Sequence, residues 1–167
     1  MKYRIVALLF VLVSMVDCGR ILIAAPFGSR SHQNVYIPLI KSLALRGHFI
    51  TLITNYHVQE LEPMSNIEQI EVEIKIDPAM FGDAFKNAIG KGSSAWNAIG
   101  TIKGMLDLPV KVAETMYTDQ RILQLLKSGK FDMVIVSQFF GFTAYPMAWH
   151  FNATLALYSP VSICLQV

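Results

Sequence analysis

At 167 residues, with 53% hydrophobic and 16% charged residues, the chain has the composition of one folded domain with a substantial core, not of a disordered segment. The net charge of +2 is spread along the sequence without a Lys/Arg cluster, so it offers no electrostatic footprint for nucleic acid or an anionic membrane surface. Two cysteines, Cys18 and Cys164, are too few for a disulfide framework or a metal site. The chain opens with Met1-Lys2-Tyr3-Arg4, an apolar run from Ile5 to Val16, and the polar stretch Asp17-Cys18-Gly19. That is the pattern of a signal peptide, and the run is shorter than the about 20 apolar residues a membrane-spanning helix needs. A leader over residues 1–19, cut near Cys18 or Gly19, and a single domain over residues 20–167 are therefore expected. No later apolar run reaches spanning length, which predicts a mature chain without a membrane span in the endoplasmic reticulum lumen or secreted.

Arg20 to Ala25 is an apolar run too short for a helix and stopped by Pro26 and Gly28; it reads as a strand covered on both faces. Val35, Leu39, Ile40 and Leu43 fall on one helical stripe that ends at Arg46-Gly47, and Phe49 to Thr54 follows as a second strand, completing a βαβ unit. Ile67 to Ile76 alternates apolar with acidic residues, as an edge strand with one wet face does. From Ala79 to Lys127 the pattern is helical, with Gly82, Gly90, Gly92, Gly100, Gly104 and Pro109 predicting several short helices. Val110 to Leu126 reads as one amphipathic helix closed by Ser128-Gly129. Phe131 to Val136 is a strand, Gly141 to His150 a helix and Leu155 to Tyr158 a strand. Alternation of this kind predicts an α/β, Rossmann-like, mostly parallel sheet with helices on both faces and ligands beyond the carboxyl ends of the strands.

The loop Pro26-Phe27-Gly28-Ser29-Arg30-Ser31-His32 contains glycine but has the spacing of neither a dinucleotide fingerprint nor a P-loop. His32 falls at the carboxyl end of the first strand and at the start of the next helix, where the macrodipole opposes a positive charge on the ring. A neutral imidazole there is a candidate general base; the plainer alternative is a helix-start residue hydrogen-bonded to its loop. Aromatic and methionine residues from Met80 to Trp149, including Phe81, Phe85, Trp96, Met105, Phe142 and Trp149, belong mostly to the core on this reading. Phe139 and Phe140, just past a strand end, are the candidates to line an apolar pocket. Asn152-Ala153-Thr154 is an N-glycosylation sequon.

Ala25 to His32, Pro38-Leu39 to Arg46-Gly47-His48, and Thr51 to Thr54 together resemble the opening of UDP-glycosyltransferases, the glucuronosyltransferase type and its insect members in particular. Lys130-Phe131-Asp132-Met133-Val134-Ile135-Val136 is similar to a strand that this family follows with an acidic residue. The resemblance reaches from the first strand to about Pro160. It implies the N-terminal, acceptor-binding domain of a two-domain GT-B enzyme, with no tightly bound cofactor. UDP-glucose or UDP-glucuronic acid would be the co-substrate and a small lipophilic alcohol or phenol the acceptor. His32 would be the general base of an inverting transfer. Ser137 occupies the position of the acidic residue that holds the base, and no Asp or Glu occurs from Met133 to Val167. Asp132 is no substitute, since five residues of strand carry it roughly 16 Å away. The family's donor-binding domain and transmembrane helix have no counterpart in this sequence, so the donor site is expected elsewhere, in a separate domain or a full-length homologue. Transfer by the chain alone is not expected. A non-catalytic small-molecule binding domain, or a regulatory partner of such a homologue, is the rival reading.

Overall fold

In a computed structural model of the chain, which describes residues 18–28, 30–74, 95–138 and 141–159, the side chains of 95–106 excepted, the apolar run Arg20–Ala25 forms strand β1. All but its first residue are buried, because helices cover both sheet faces. Ile21 and Ile23 join one apolar cluster with Ile37, Ile40, Ile50 and Leu52. Leu22 and Ala24 join another with Met116, Ile122, Val134 and Met147. The predicted absence of alternation in this strand is thus explained by cover on two sides.

Two short helices, α1 (Arg30–Asn34) and α2 (Ile37–Leu45), stand where one was expected. Pro38 accounts for the break: it has no N–H to donate to the carbonyl four residues back, in α1. The buried stripe also differs from the predicted one, being Gln33, Ile37, Ile40 and Ala44, while Val35 is exposed and Leu39 and Leu43 sit at the margin of the core. Strand β2 (Phe49–Thr54) follows, and β3 (Ile67–Glu71) forms one edge of the sheet as its alternation predicted. Val72 extends this edge with a bond from its N–H to the Thr54 carbonyl at 2.7 Å.

The helix α3 (Ala95–Thr118) runs unbroken through Gly100, Gly104 and Pro109, all predicted to interrupt it. A proline removes one backbone bond, whereas Leu108, Val112 and Met116, at i, i+4 and i+8, are all buried, and packing overrides local propensity. The helix expected from Val110 to Leu126 is instead divided at Asp119, which takes extended backbone and accepts the Arg121 N–H at 2.8 Å as the N-cap of α4 (Gln120–Ser128). Residues 79–94 of the predicted helical region lie outside the described residues, as does the proposed leader through residue 17.

Strand β4 (Met133–Ser137) is followed by a 3-10 turn (Gly141–Ala144), helix α5 (Tyr145–His150) and strand β5 (Thr154–Tyr158). The sheet order is β3-β2-β1-β4-β5, with every described pair parallel. Successive strands therefore point their carboxyl ends to one edge, where loops meet. No described helix is long and apolar enough to cross a membrane.

Candidate functional site at the carboxyl edge of the sheet

Register brings the site together. Ala25 pairs with Thr54, and Ala24 with Val136, so the ends of β1, β2 and β4 lie side by side with Ser137 next in line. The loop leaving β1 turns at Gly28, whose φ of +149° is a conformation that L side chains rarely adopt. A Cβ on Gly28 would stand 3.3 Å from the His32 Cβ, so the loop's backbone closes directly on the histidine. His32 itself is half-buried, in the middle of α1. It is at the predicted edge, but the expected helix-dipole effect loses its basis. With α1 only 5 residues long, both helix ends lie within a turn of the ring and their partial charges oppose one another.

Ser137 ends β4 buried, on the sheet face covered by α1 and α2. Its hydroxyl is hydrogen-bonded to the Tyr36 phenol, four residues beyond His32. Tyr36 also donates to the Tyr158 carbonyl at 3.2 Å, the two rings are 4.6 Å apart, and Tyr158 returns a bond to the Val35 carbonyl at 3.3 Å. Burial pushes the Tyr36 phenol above the usual tyrosine range, with the Ser137 bond acting against the rise and Tyr158 adding to it. Tyr36 is therefore a neutral hydroxyl at physiological pH. Asp132 lies at the opposite end of β4, where its carboxylate accepts the Arg20 N–H at 2.7 Å; it fastens the amino edge and has no part in the site.

Beside α1 opens a cleft of about 470 Å³, lined by Arg30, Asn34, Tyr56, His57, Gln59 and Glu60 among others. Its walls mix polar and apolar groups, Ile37 and Val58 among the latter. The Arg30 guanidinium lies 5.6 Å from the centre of the Tyr56 ring, and His57 and Glu60 are engaged by Glu62 at 2.7 Å and Lys41 at 2.8 Å. Phe139 and Phe140, predicted to line an apolar pocket, lie outside the described residues, as do the side chains of Phe81, Phe85, Trp96 and Met105. Phe142 and Trp149 are 48% and 89% exposed, so the expectation that they belong to the core is corrected. Asn152 is exposed in the turn between α5 and β5, with a left-handed φ of 51° that asparagine tolerates better than most residues. Among the described residues no group of His, Cys, Asp and Glu is arranged to hold a metal ion.

Sequence reading missed Gln33, Tyr36, Thr54 and Asn55, which tie the His32 loop to the neighbouring strands. One signal was present: Gln33 continues the helical spacing of Ile37, Ile40 and Ala44, so a polar residue occupies a core position.

No protein-family model matches the chain. Over 157 residues, 93% of its length, it is 30% identical to UDP-glucosyltransferase 2 of Dactylopius coccus. The resemblance is to the N-terminal region of a UDP-glycosyltransferase. The chain spans 29% of that relative's length. A solved structure, the glycosyltransferase of kitacinnamycin, superposes on 88% of the chain with a TM-score of 0.56, at 17% identity and over 31% of its own length. The fold is thus the α/β, GT-B type of domain that the sequence predicted. In this UDP-glycosyltransferase-like domain, His32 and Ser137 both lie at the loop-bearing edge, and Ser137 is bonded there to Tyr36.

Proposed function

We propose that the chain is the acceptor-binding part of a UDP-glycosyltransferase with His32 as its general base. The observation that carries this reading is the position of His32, half-buried in α1 just past the Gly28 turn, where three parallel strands end. An imidazole nitrogen takes the proton of an acceptor hydroxyl, the oxygen attacks the anomeric carbon of the sugar, and UDP departs with the bonding pair, inverting that carbon. The donor is a UDP-hexose, UDP-glucose first in view of the relative's name and UDP-glucuronic acid second. The acceptor is a small hydroxyl-bearing compound seated between the His32 loop and the ends of β1 and β4. Transfer requires donor, base and acceptor in near-attack geometry, so this chain acts together with a donor-binding domain. The leader pattern and the exposed Asn152 sequon support a lumenal or secreted glycoprotein.

The test is transfer from UDP-glucose and UDP-glucuronic acid to a panel of phenols by the chain alone and by a fusion to a related donor-binding domain. Transfer by the fusion and not by the chain, abolished in His32→Ala, is the expected result. A folded fusion that binds phenols and transfers nothing removes the catalytic reading.

One observation favours a second reading, a binding domain without transfer chemistry. Where the family places a carboxylate, Ser137 is engaged with Tyr36, and the chain has no acidic residue from Met133 onward. The same fusion experiment decides between the two.

A further inference from the structure

A buried polar cluster that the proposed chemistry does not use lies beneath the His32 loop. Gln33, the next residue, is 7% exposed and fills the first position of the core stripe continued by Ile37, Ile40 and Ala44. Its carboxamide oxygen lies 3.1 Å from Thr54 Oγ1, which can donate to it, and its nitrogen donates to the Ala25 carbonyl at 3.4 Å and to Asn55 Oδ1. Asn55 in turn donates through Nδ2 to the Gly28 carbonyl at 3.2 Å. Thr54 Oγ1 is also within 2.9 Å of the Tyr56 carbonyl, so its single proton serves two acceptors.

The partners are not scattered. Ala25 is the last residue of β1, Thr54 the last of β2, and Gly28 the point at which the loop touches His32, 3.3 Å from its Cβ to where a Cβ on Gly28 would stand. One amide thus joins two adjacent strand ends, and its neighbour fixes the loop between β1 and α1. An apolar side chain at position 33 would continue the stripe equally well and would tie nothing. A buried amide with both its donor and acceptor sides engaged permits a single orientation, since turning it over would set nitrogen against Thr54 and oxygen against the Ala25 carbonyl.

We infer that Gln33, Thr54 and Asn55 are the positioning residues of His32: their network sets the loop at Gly28, and Gly28 sets the direction of the imidazole. The inference rests on the reading of His32 as the base, yet its structural half is testable without any transfer. The 167-residue chain, labelled with ¹⁵N-histidine, is studied by NMR, following the His32 ring signals and the cross-relaxation between His32 and the Gly28 α-protons. Gln33→Glu, nearly the same shape but with oxygen facing the Ala25 carbonyl and Asn55, and Thr54→Val, which deletes the hydroxyl, are expected to shift the His32 signals and weaken that cross-relaxation. Thr54→Ser is expected to retain both, with the His48, His57 and His150 signals unmoved throughout. Should Gln33→Glu fail to fold, Thr54→Val carries the test, being the smaller change.

In the fusion enzyme, Thr54→Val is expected to lower kcat by about 100-fold, the scale of a misplacement near 1 Å, with KM within about twofold and Thr54→Ser restoring the rate. Unmoved His32 signals in both folded variants would overturn the positioning role even if His32→Ala abolished transfer. Moved signals, together with a fusion that still transfers after His32→Ala, would uphold the positioning and remove only the assignment of the base.

Discussion

Ser137 and Tyr36 are hydrogen-bonded to one another at the carboxyl edge of the sheet, where the related glycosyltransferases are expected to carry a carboxylate. A serine supports a neighbouring imidazole by hydrogen bonding alone, with no charge to stabilise the imidazolium. Ser137→Asp in the fusion enzyme is therefore expected to raise kcat at least about tenfold, the ten-thousandfold effect of an orienting carboxylate in serine proteases being the ceiling. An unchanged kcat in a folded variant would mean that the base does not draw on this position.

Tyr36→Phe removes the phenol that joins Ser137 to the Tyr158 carbonyl. Loss of its two bonds is expected to cost about 1 kcal/mol each, more where an abandoned partner stays dry, measured by urea unfolding. The ring contact with Tyr158 is kept, so a loss no larger than that of an exposed substitution would show the hydroxyl to be dispensable.

Gly28→Ala places a side chain on backbone at φ +149° and against His32. Conformations of this kind cost of the order of 1–3 kcal/mol for other residues. The expected outcome is a lowered unfolding midpoint together with displaced His32 resonances; stability at the wild-type level would show that the loop re-forms without strain.

Asp119→Ala removes the N-cap of α4 and is expected to cost about 1 kcal/mol. The Arg121 side-chain bond, opposed in part by burial and reinforced by the Arg121 N–H, holds the Asp119 carboxyl below its ordinary value of 3.8. A depressed carboxylate stabilises the fold above its unfolded-state value and loses that contribution as pH falls through the folded one. The difference between wild type and variant should accordingly be complete at neutral pH and shrink below about pH 4. A difference constant down to strong acid would dissociate it from the charge.

Asn152 is expected to carry a glycan when the chain is secreted from insect cells, read as a mass loss on enzymatic deglycosylation that is absent in Asn152→Gln. Asn152→Gly, which keeps the left-handed turn, separates the backbone role of this residue from its modification.

The strands were the legible part of the fold because short apolar runs bounded by glycine and proline admit few other readings. The β3 edge falls where its alternation put it, and β1 is covered on both faces as its unbroken apolar run predicted. Helix boundaries were less legible, for reasons visible in single residues. Pro38 stands where α1 gives way to α2, whereas α3 runs whole through Pro109, so a proline alone did not fix where a helix ends. Asp119 was hidden inside a convincing stripe until its side chain was seen to cap. At the candidate site, the motifs pointed to His32 and Ser137, and both lie at the carboxyl edge, but the residues that hold them there were not legible. Gln33 carried a faint signal as a polar residue on the core stripe, but its meeting with Thr54 and Asn55, 21 and 22 positions away at the end of β2, comes from packing α1 against the sheet and leaves no trace in either segment alone.

The placement of β1 at the centre of a parallel sheet also sets an order of assembly. Its pairing with β2 closes over a short stretch, but its pairing with β4 must wait for residues beyond 130, and the Tyr36 to Tyr158 bond spans 122 positions. On a ribosome the three strands β1, β2 and β3 can associate while half the chain is still unmade, leaving one flank of β1 open to any competing strand. Ser137 and Tyr158 arrive last. The carboxyl edge around Ser137 is therefore late to acquire its shape, and a chaperone that shields β1 in the interval would be guarding the candidate site as much as the core.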